Sequence, residues 1–166
     1  MQWKDIVADP NLRNLPFKIE TNKWGQIVMT PAKVMHGKLQ LKIGMLLTQL
    51  MQEASEATIE CAIQTTEGTK VADVAWFSAG QWEQVQDEYE SPIAPEICVE
   101  VISRSNSSEE IQQKKNLYFE RGAVEVWTYS AKGKMHFYDR SGEIPSSMLA
   151  PDFPKTLSTE KQRRKN

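Results

Sequence analysis

The stretch PEICVEVISRS, residues 95–105, constrains the fold more than any other part of this 166-residue chain. Side chains of a strand alternate between two faces. Ile97, Val99, Val101 and Ser103 therefore fall on one side, and Cys98, Glu100 and Ile102 on the other. Both sides are mostly apolar, the pattern of a strand covered on both faces inside an α/β sheet. An ionised Glu100 is costly there unless it is protonated, paired or bound to a metal, so the rest of the chain has to provide it with a partner.

The flanking segments read as a mixture of sheet and helix. FKIET and WGQIVMT lie on either side of Asn22 and Lys23 in the manner of a β-hairpin. Pro31 can open a helix, and Leu39, Ile43, Leu46, Leu47 and Leu50 recur at helical spacing, which predicts an amphipathic helix over 33–53. TIECAI puts Ile59, Cys61 and Ile63 on one side of a strand, and Gly68 marks the turn before VADVAWF. Ser107 and Glu110 have capping-box spacing and Gly122 supplies a stop, predicting a second helix over 107–121. AVEVWTY and KMHFYD, joined at Lys132 and Gly133, read as a closing hairpin. Residues 1–16 are expected to be irregular, 17–140 to form the domain, and 141–166 to form a loosely attached tail ending in a disordered KQRRKN.

The length suits one domain with a real core. No apolar run reaches membrane-spanning length, and the charged, Pro-containing N-terminal segment does not resemble a signal peptide, so a cytoplasmic protein is expected. The net charge of -2 hides an uneven distribution: seven Lys/Arg against four Asp/Glu in residues 1–53, two against twelve in 54–110, and eleven against six in 111–166. Such a total does not advertise nucleic-acid binding, although folding could bring the flanking bases to one face. Cys61 and Cys98 both lie in apolar strand-like runs and read as reduced core thiols. His36 and His136 have no zinc-ligand spacing to each other or to the cysteines.

The oddity of Glu100 is repeated in VADVAWF, where Asp73 shares a face with Val71, Ala75 and Phe77, and Ala72, Val74 and Trp76 take the other. Two ionised carboxylates on neighbouring strands repel. A divalent cation between them removes the conflict, and oxygen ligation with room for water and phosphate suits Mg²⁺ or Mn²⁺. At about 100° per residue, Lys114 falls within the apolar arc of the second helix, between Leu117 and Tyr118, while Lys115 lies at its edge. Asp, Glu and Lys converging from strand, strand and helix are what metal-assisted phosphodiester hydrolysis requires. A buried Glu100–Lys114 ion pair on a non-catalytic module satisfies the same charges without a metal, and both readings stay open at this point.

The segments IETNKWGQIVMTPAKVMHGKL, VADVAWFS, PEICVEVISRS and KKNLYFERGAVEVW, in that order, resemble the Uma-type family of restriction endonuclease-like proteins within the PD-(D/E)XK nuclease superfamily. The resemblance implies an α/β restriction endonuclease-like core with a central mixed β-sheet flanked by helices. It implies a site of Asp73, Glu100 and Lys114, with the Val101 backbone carbonyl as a further metal ligand. Ser103 closes the Glu-Val-x-Ser strand, Glu20 matches an N-terminal glutamate that could reach the metal, and His36 and Glu110 match supporting positions. The chain departs from the pattern at Ala72, where Pro precedes the first acid, at Ile102, where a lysine follows the second, and at Arg104, the centre of a Ser-Pro-Ser. The function expected is Mg²⁺- or Mn²⁺-dependent cleavage of nucleic acid, DNA in the first place, by a homodimer or higher homo-oligomer. The alternative is an inactive module of the same fold that binds a protein or nucleic-acid partner.

Overall fold

The computed structural model describes residues 2–51 and 56–157. Helix α1 (Trp3–Ala8) is followed by a two-stranded hairpin, β1 (Phe17–Thr21) and β2 (Ile27–Pro31), whose register pairs Glu20 with Val28. Helix α2 (Val34–Met51) then leads into β3 (Glu56–Thr65) and β4 (Gly68–Phe77), and a short α3 (Ala79–Val85) occupies part of the acidic segment. Strand β5 (Ile97–Val101), helix α4 (Ser108–Glu120) and β6 (Glu125–Tyr129) precede a last antiparallel pair, β7 (Met135–Asp139) and β8 (Gly142–Ile144). Strands β3 to β8 form one six-stranded sheet in sequence order, antiparallel throughout except at β5–β6. Parallel neighbours need a crossover, and α4 supplies it. This is the mixed sheet flanked by helices expected from sequence. No helix among the described residues is long and apolar enough to cross a membrane.

All five residues of β5 are buried, as its double apolar pattern requires. On one face Leu39, Ile43 and Leu47 of α2 pack with Val74, Trp76, Val99 and Trp127, and on the other Tyr118 of α4 packs with Ala72, Cys98 and Val126. The two ends of α4 are built as the sequence predicts. Ser107 Oγ accepts the Glu110 N–H at 3.1 Å, Glu110 Oε2 accepts the Ser107 N–H at 2.9 Å, and Gly122 turns the chain with φ +102°. Helix α2 begins at Val34 and runs to Met51, and the expected residues 52 and 53 lie outside the described residues.

Three expectations are corrected. The chain before Pro16 is not wholly irregular: α1 sends Trp3 and Ile6 against Val71, because both are apolar and one turn apart. The tail is not loose up to Leu157, since Ala150, Phe153 and Leu157 join the core and the buried Glu125 carboxylate accepts the N–H groups of Met148 and Leu149 at 2.7 and 3.1 Å. KQRRKN lies outside the described residues. Strict alternation also fails in β3 and β4. Ala72 packs on the α4 side and Val74 on the α2 side, and across the ladder Cys61 and Ile63 lie on the α4 side while Ala57 lies on the α2 side. Between these positions Glu60 has a left-handed backbone, φ 53°. The register stays in step through Ile59↔Val74 and Cys61↔Ala72, so both strands change faces together at Glu60 and Asp73.

Candidate active site

That change of faces decides what Asp73 can touch. The β4–β5 ladder pairs Val74 with Val99 and carries no pair beyond them toward the two acids. Asp73 Oδ2 instead accepts the Val101 N–H at 2.6 Å, a side chain standing in for the ladder. Its Oδ1 meets Lys18 Nζ of β1 at 2.6 Å, His36 Nε2 of α2 at 2.9 Å and Gln40 Nε2 at 3.3 Å. Glu100 accepts the Tyr118 hydroxyl at 2.7 Å and faces Lys114 Nζ at 3.1 Å, both from α4. Lys114 also reaches Glu20 Oε1 at 2.6 Å, and that same oxygen accepts the Val71 N–H at 2.8 Å. The Lys18 ammonium lies 3.8 Å from Glu100 as well, so it occupies the gap between the two acids. Lys18, Glu20, His36, Asp73, Glu100, Val101 and Lys114 line a cleft of about 1090 Å³.

Burial and charge pull these groups in opposite directions. Burial pushes the Asp73 carboxyl up, but the His36 hydrogen bond and the Lys18 charge outweigh it and hold Asp73 well below the usual carboxylate range. Glu100 goes the other way: burial raises it despite Lys114 and Lys18. The two acids thus differ in how readily they hold a proton, although they share the Lys18 ammonium. Burial works against the charge on Lys18, yet Glu100, Asp73 and Glu20 keep it firmly protonated. Glu20 is lowered, because Lys114 and Lys18 overcome its own desolvation. His36 is raised, chiefly by its hydrogen bond to Asp73.

The model of a family described as "Uma2: Putative restriction endonuclease" matches residues 13–148. The chain belongs to the Uma2 family. A solved structure of the same architecture is the crystal structure of "a putative nuclease belonging to DUF820" from Anabaena variabilis ATCC 29413, with TM-score 0.73, 15% identity, and coverage of 95% of this chain and 94% of that one. At that identity the likeness is one of fold. Among curated proteins none matches the chain.

Of the positions expected from the Uma2 resemblance, Asp73, Glu100, Lys114, Glu20 and His36 converge, and the Val101 backbone joins them through its N–H. Ser103 and Glu110 line the cleft but are committed elsewhere. Ser103 is tied into the β5–α4 turn through Asn106 Oδ1, and Glu110 closes the α4 cap. Glu125 is structural, with Trp127 Nε1 on its second oxygen at 2.7 Å. Both cysteines are free, and burial pushes the Cys61 thiol up to about 12. Lys115 is itself buried, with its ammonium 3.6 Å from the Tyr138 ring centre.

Sequence reasoning missed Lys18 and Tyr118. Lys18 had a signal: it stands two residues before Glu20, on the same face of β1, so whatever Glu20 approaches Lys18 can approach too. Tyr118 had one as well, one helical turn beyond Lys114, though its aromatic ring reads first as core.

Proposed function

We propose that this Uma2-family protein is a divalent-cation-dependent nuclease that cleaves nucleic acid, DNA in the first place, in the cleft where Asp73, Glu100 and Lys114 meet. The observation that supports it most is the Lys18 ammonium between Asp73 and Glu100. A buried space that holds one cation between two carboxylates also suits a hard divalent ion, Mg²⁺ or Mn²⁺. Asp73, Glu100 and the Val101 carbonyl would hold that ion, and Glu20 would act from the outer sphere through Lys114. The ion supplies Lewis-acid polarisation of a phosphoryl oxygen.

The chain's own groups account for the rest of the chemistry. Water attacks phosphorus and loses a proton to solvent, the bond to the leaving oxygen breaks and that oxygen takes up a proton from solvent, and negative charge gathers on the phosphoryl oxygens in the transition state. Lys114, held between Glu20 and Glu100, would stabilise that charge and orient the attacking oxygen. Lys33, Lys70, Arg104 and Lys132 also line the cleft and give a polyanion a basic approach to acidic ligands. Asp73→Asn and Glu100→Gln should each lower Mn²⁺-dependent cleavage of plasmid DNA or single-stranded RNA by at least about a hundredfold while leaving the circular dichroism spectrum unchanged. Full activity in both variants would reject this assignment. A homodimer belongs to the same proposal and is checked by sedimentation at assay concentration.

A second reading is favoured by the ion pairs themselves. Lys18 with Asp73, and Lys114 with Glu20 and Glu100, satisfy the acids without a metal, as an inactive binding module would need. Mn²⁺ calorimetry separates the two: saturable binding lost in Asp73→Asn supports the nuclease, and no binding to either protein in the presence of a phosphodiester supports the module.

A further inference from the structure

We propose that the tip of the β1–β2 hairpin binds an unpaired nucleotide, with the Trp24 ring stacking on the base and Lys23 meeting a neighbouring phosphate. The inference rests on the nuclease reading and deepens it, because it names single-stranded nucleic acid as the form that enters the cleft.

The hairpin has two faces. Ile19 and Ile27 pack with Trp3, Ile6 and Val71, whereas Lys18, Glu20, Val28 and Thr30 line the cleft. One side is thereby anchored, and the other is a wall of the candidate active site. The tip is anchored as well: Thr21 Oγ1 accepts the Thr69 N–H at 2.7 Å, and the Thr21 carbonyl accepts Lys70 Nζ at 2.7 Å. Within the turn, Asn22 Oδ1 accepts the N–H groups of Trp24 and Gln26, each at 3.0 Å. The backbone position of Trp24 is therefore set from both sides.

At that position the indole is 73% exposed, the most exposed aromatic side chain among the described residues. A tryptophan stabilises a fold through the area it buries, so a ring held out from an anchored tip contributes little to this one. Its surroundings separate it from an incidental surface residue. The Lys23 ammonium lies 4.6 Å from the ring centre and can cover one face only, leaving the other to a ligand. Lys70, whose ammonium touches Thr21, also lines the cleft, as does the exposed Val28. A ring beside a cation, continuous with a basic groove, is the combination that holds single strands: bases stack on the ring and phosphates follow the charge.

The cleft favours a single strand for a separate reason. Its volume of about 1090 Å³ is close to that of pockets for small molecules, about 300–1,000 Å³, and the Asp73 and Glu100 side chains in it are only 2% and 5% exposed. One strand can reach acids so recessed more readily than an intact duplex can. A stacked base pair, moreover, offers Trp24 no free face. From Glu20, whose carboxylate holds Lys114, the chain to Trp24 spans about 13 Å at roughly 3.3 Å per residue. That is about four nucleotides at 3.4 Å each.

The test measures binding of the full chain in EDTA to a short oligothymidylate and to a closed, end-free duplex, by anisotropy and by tryptophan fluorescence. Trp24→Ala should weaken single-strand binding about tenfold, the scale of one base–aromatic stack, and change duplex binding by less than about twofold. Trp24→Phe should restore most of the affinity but lack the quenching of tryptophan emission seen in wild type. Lys23→Gln should reduce the slope of log affinity against log salt by about 0.7. Thermal melts of the three variants should match wild type, since both side chains are at the exposed tip. Unchanged single-strand affinity in Trp24→Ala, or an equal loss on the duplex, overturns this contact. Wild type that binds neither nucleic acid overturns it too. The nuclease assignment is decided separately by the cleavage assay on Asp73→Asn and Glu100→Gln, which leaves Trp24 in place.

Discussion

Lys18 is the cation that stands between the two acids of the cleft. Its ammonium neutralises Asp73 and approaches Glu100 from a strand outside the main sheet, and it must leave before a divalent ion can sit between them. Lys18→Met should therefore tighten Mn²⁺ binding by roughly tenfold, the scale on which neighbouring groups tune metal sites, and should lower the melting temperature in EDTA because two buried acids lose their cation. Calorimetry and thermal melts with and without Mn²⁺ read both effects.

His36 is the second residue with a measurable signature. In the metal-free protein its imidazole should titrate above the ordinary value of about 6.5, as its bond to Asp73 requires. A group raised on folding contributes stability that is fully present below its unfolded pKa and is lost as pH rises through the folded one. Proton NMR should show His36 returning toward the ordinary value in Asp73→Asn, with that pH-dependent part of the stability gone.

At the scale of elements, α4 does most of the positioning. It carries Lys114 and Tyr118 one turn apart, both on Glu100, and its start is set by the Ser107–Glu110 box. Ser107→Ala should cost about 1 kcal/mol in urea unfolding. The kinked pair β3–β4 contributes differently, because the change of faces at Glu60 opens Asp73 to β1 and α2 together. A regular pair would have pointed Asp73 to one side only.

For the whole molecule, the segment after β8 closes the far end of the core. Phe153 packs at a tilt on Trp127 at 4.7 Å between ring centres and lies near Phe137 at 6.4 Å, on the sheet face that α2 also covers. Phe153→Ala should destabilise the fold by about 3–5 kcal/mol in chemical denaturation. Mn²⁺ affinity should persist below the unfolding midpoint, since Phe153 is not among the residues lining the cleft.

Local periodicity and capping were legible in the chain. The double apolar pattern of residues 97–101 specified a strand buried on both faces, the leucine spacing specified α2, and Ser107, Glu110 and Gly122 specified α4. These signals are short-range, and a buried acid in such a strand demands a partner whatever the fold. The partner itself was only half legible. Lys114 was visible from its place on the apolar arc, whereas Lys18 comes from a hairpin whose approach to β4 no local pattern records. The tail showed the same limit: its Pro and Ser suggested a loose end, while Phe153 and the Glu125 carboxylate hold it through contacts far apart in sequence. Tertiary structure alone decided where β3 and β4 change faces, because that depends on one left-handed residue working across a ladder. It thereby decided that Asp73 meets α2 and the hairpin while Glu100 meets α4, with the Lys18 ammonium between them.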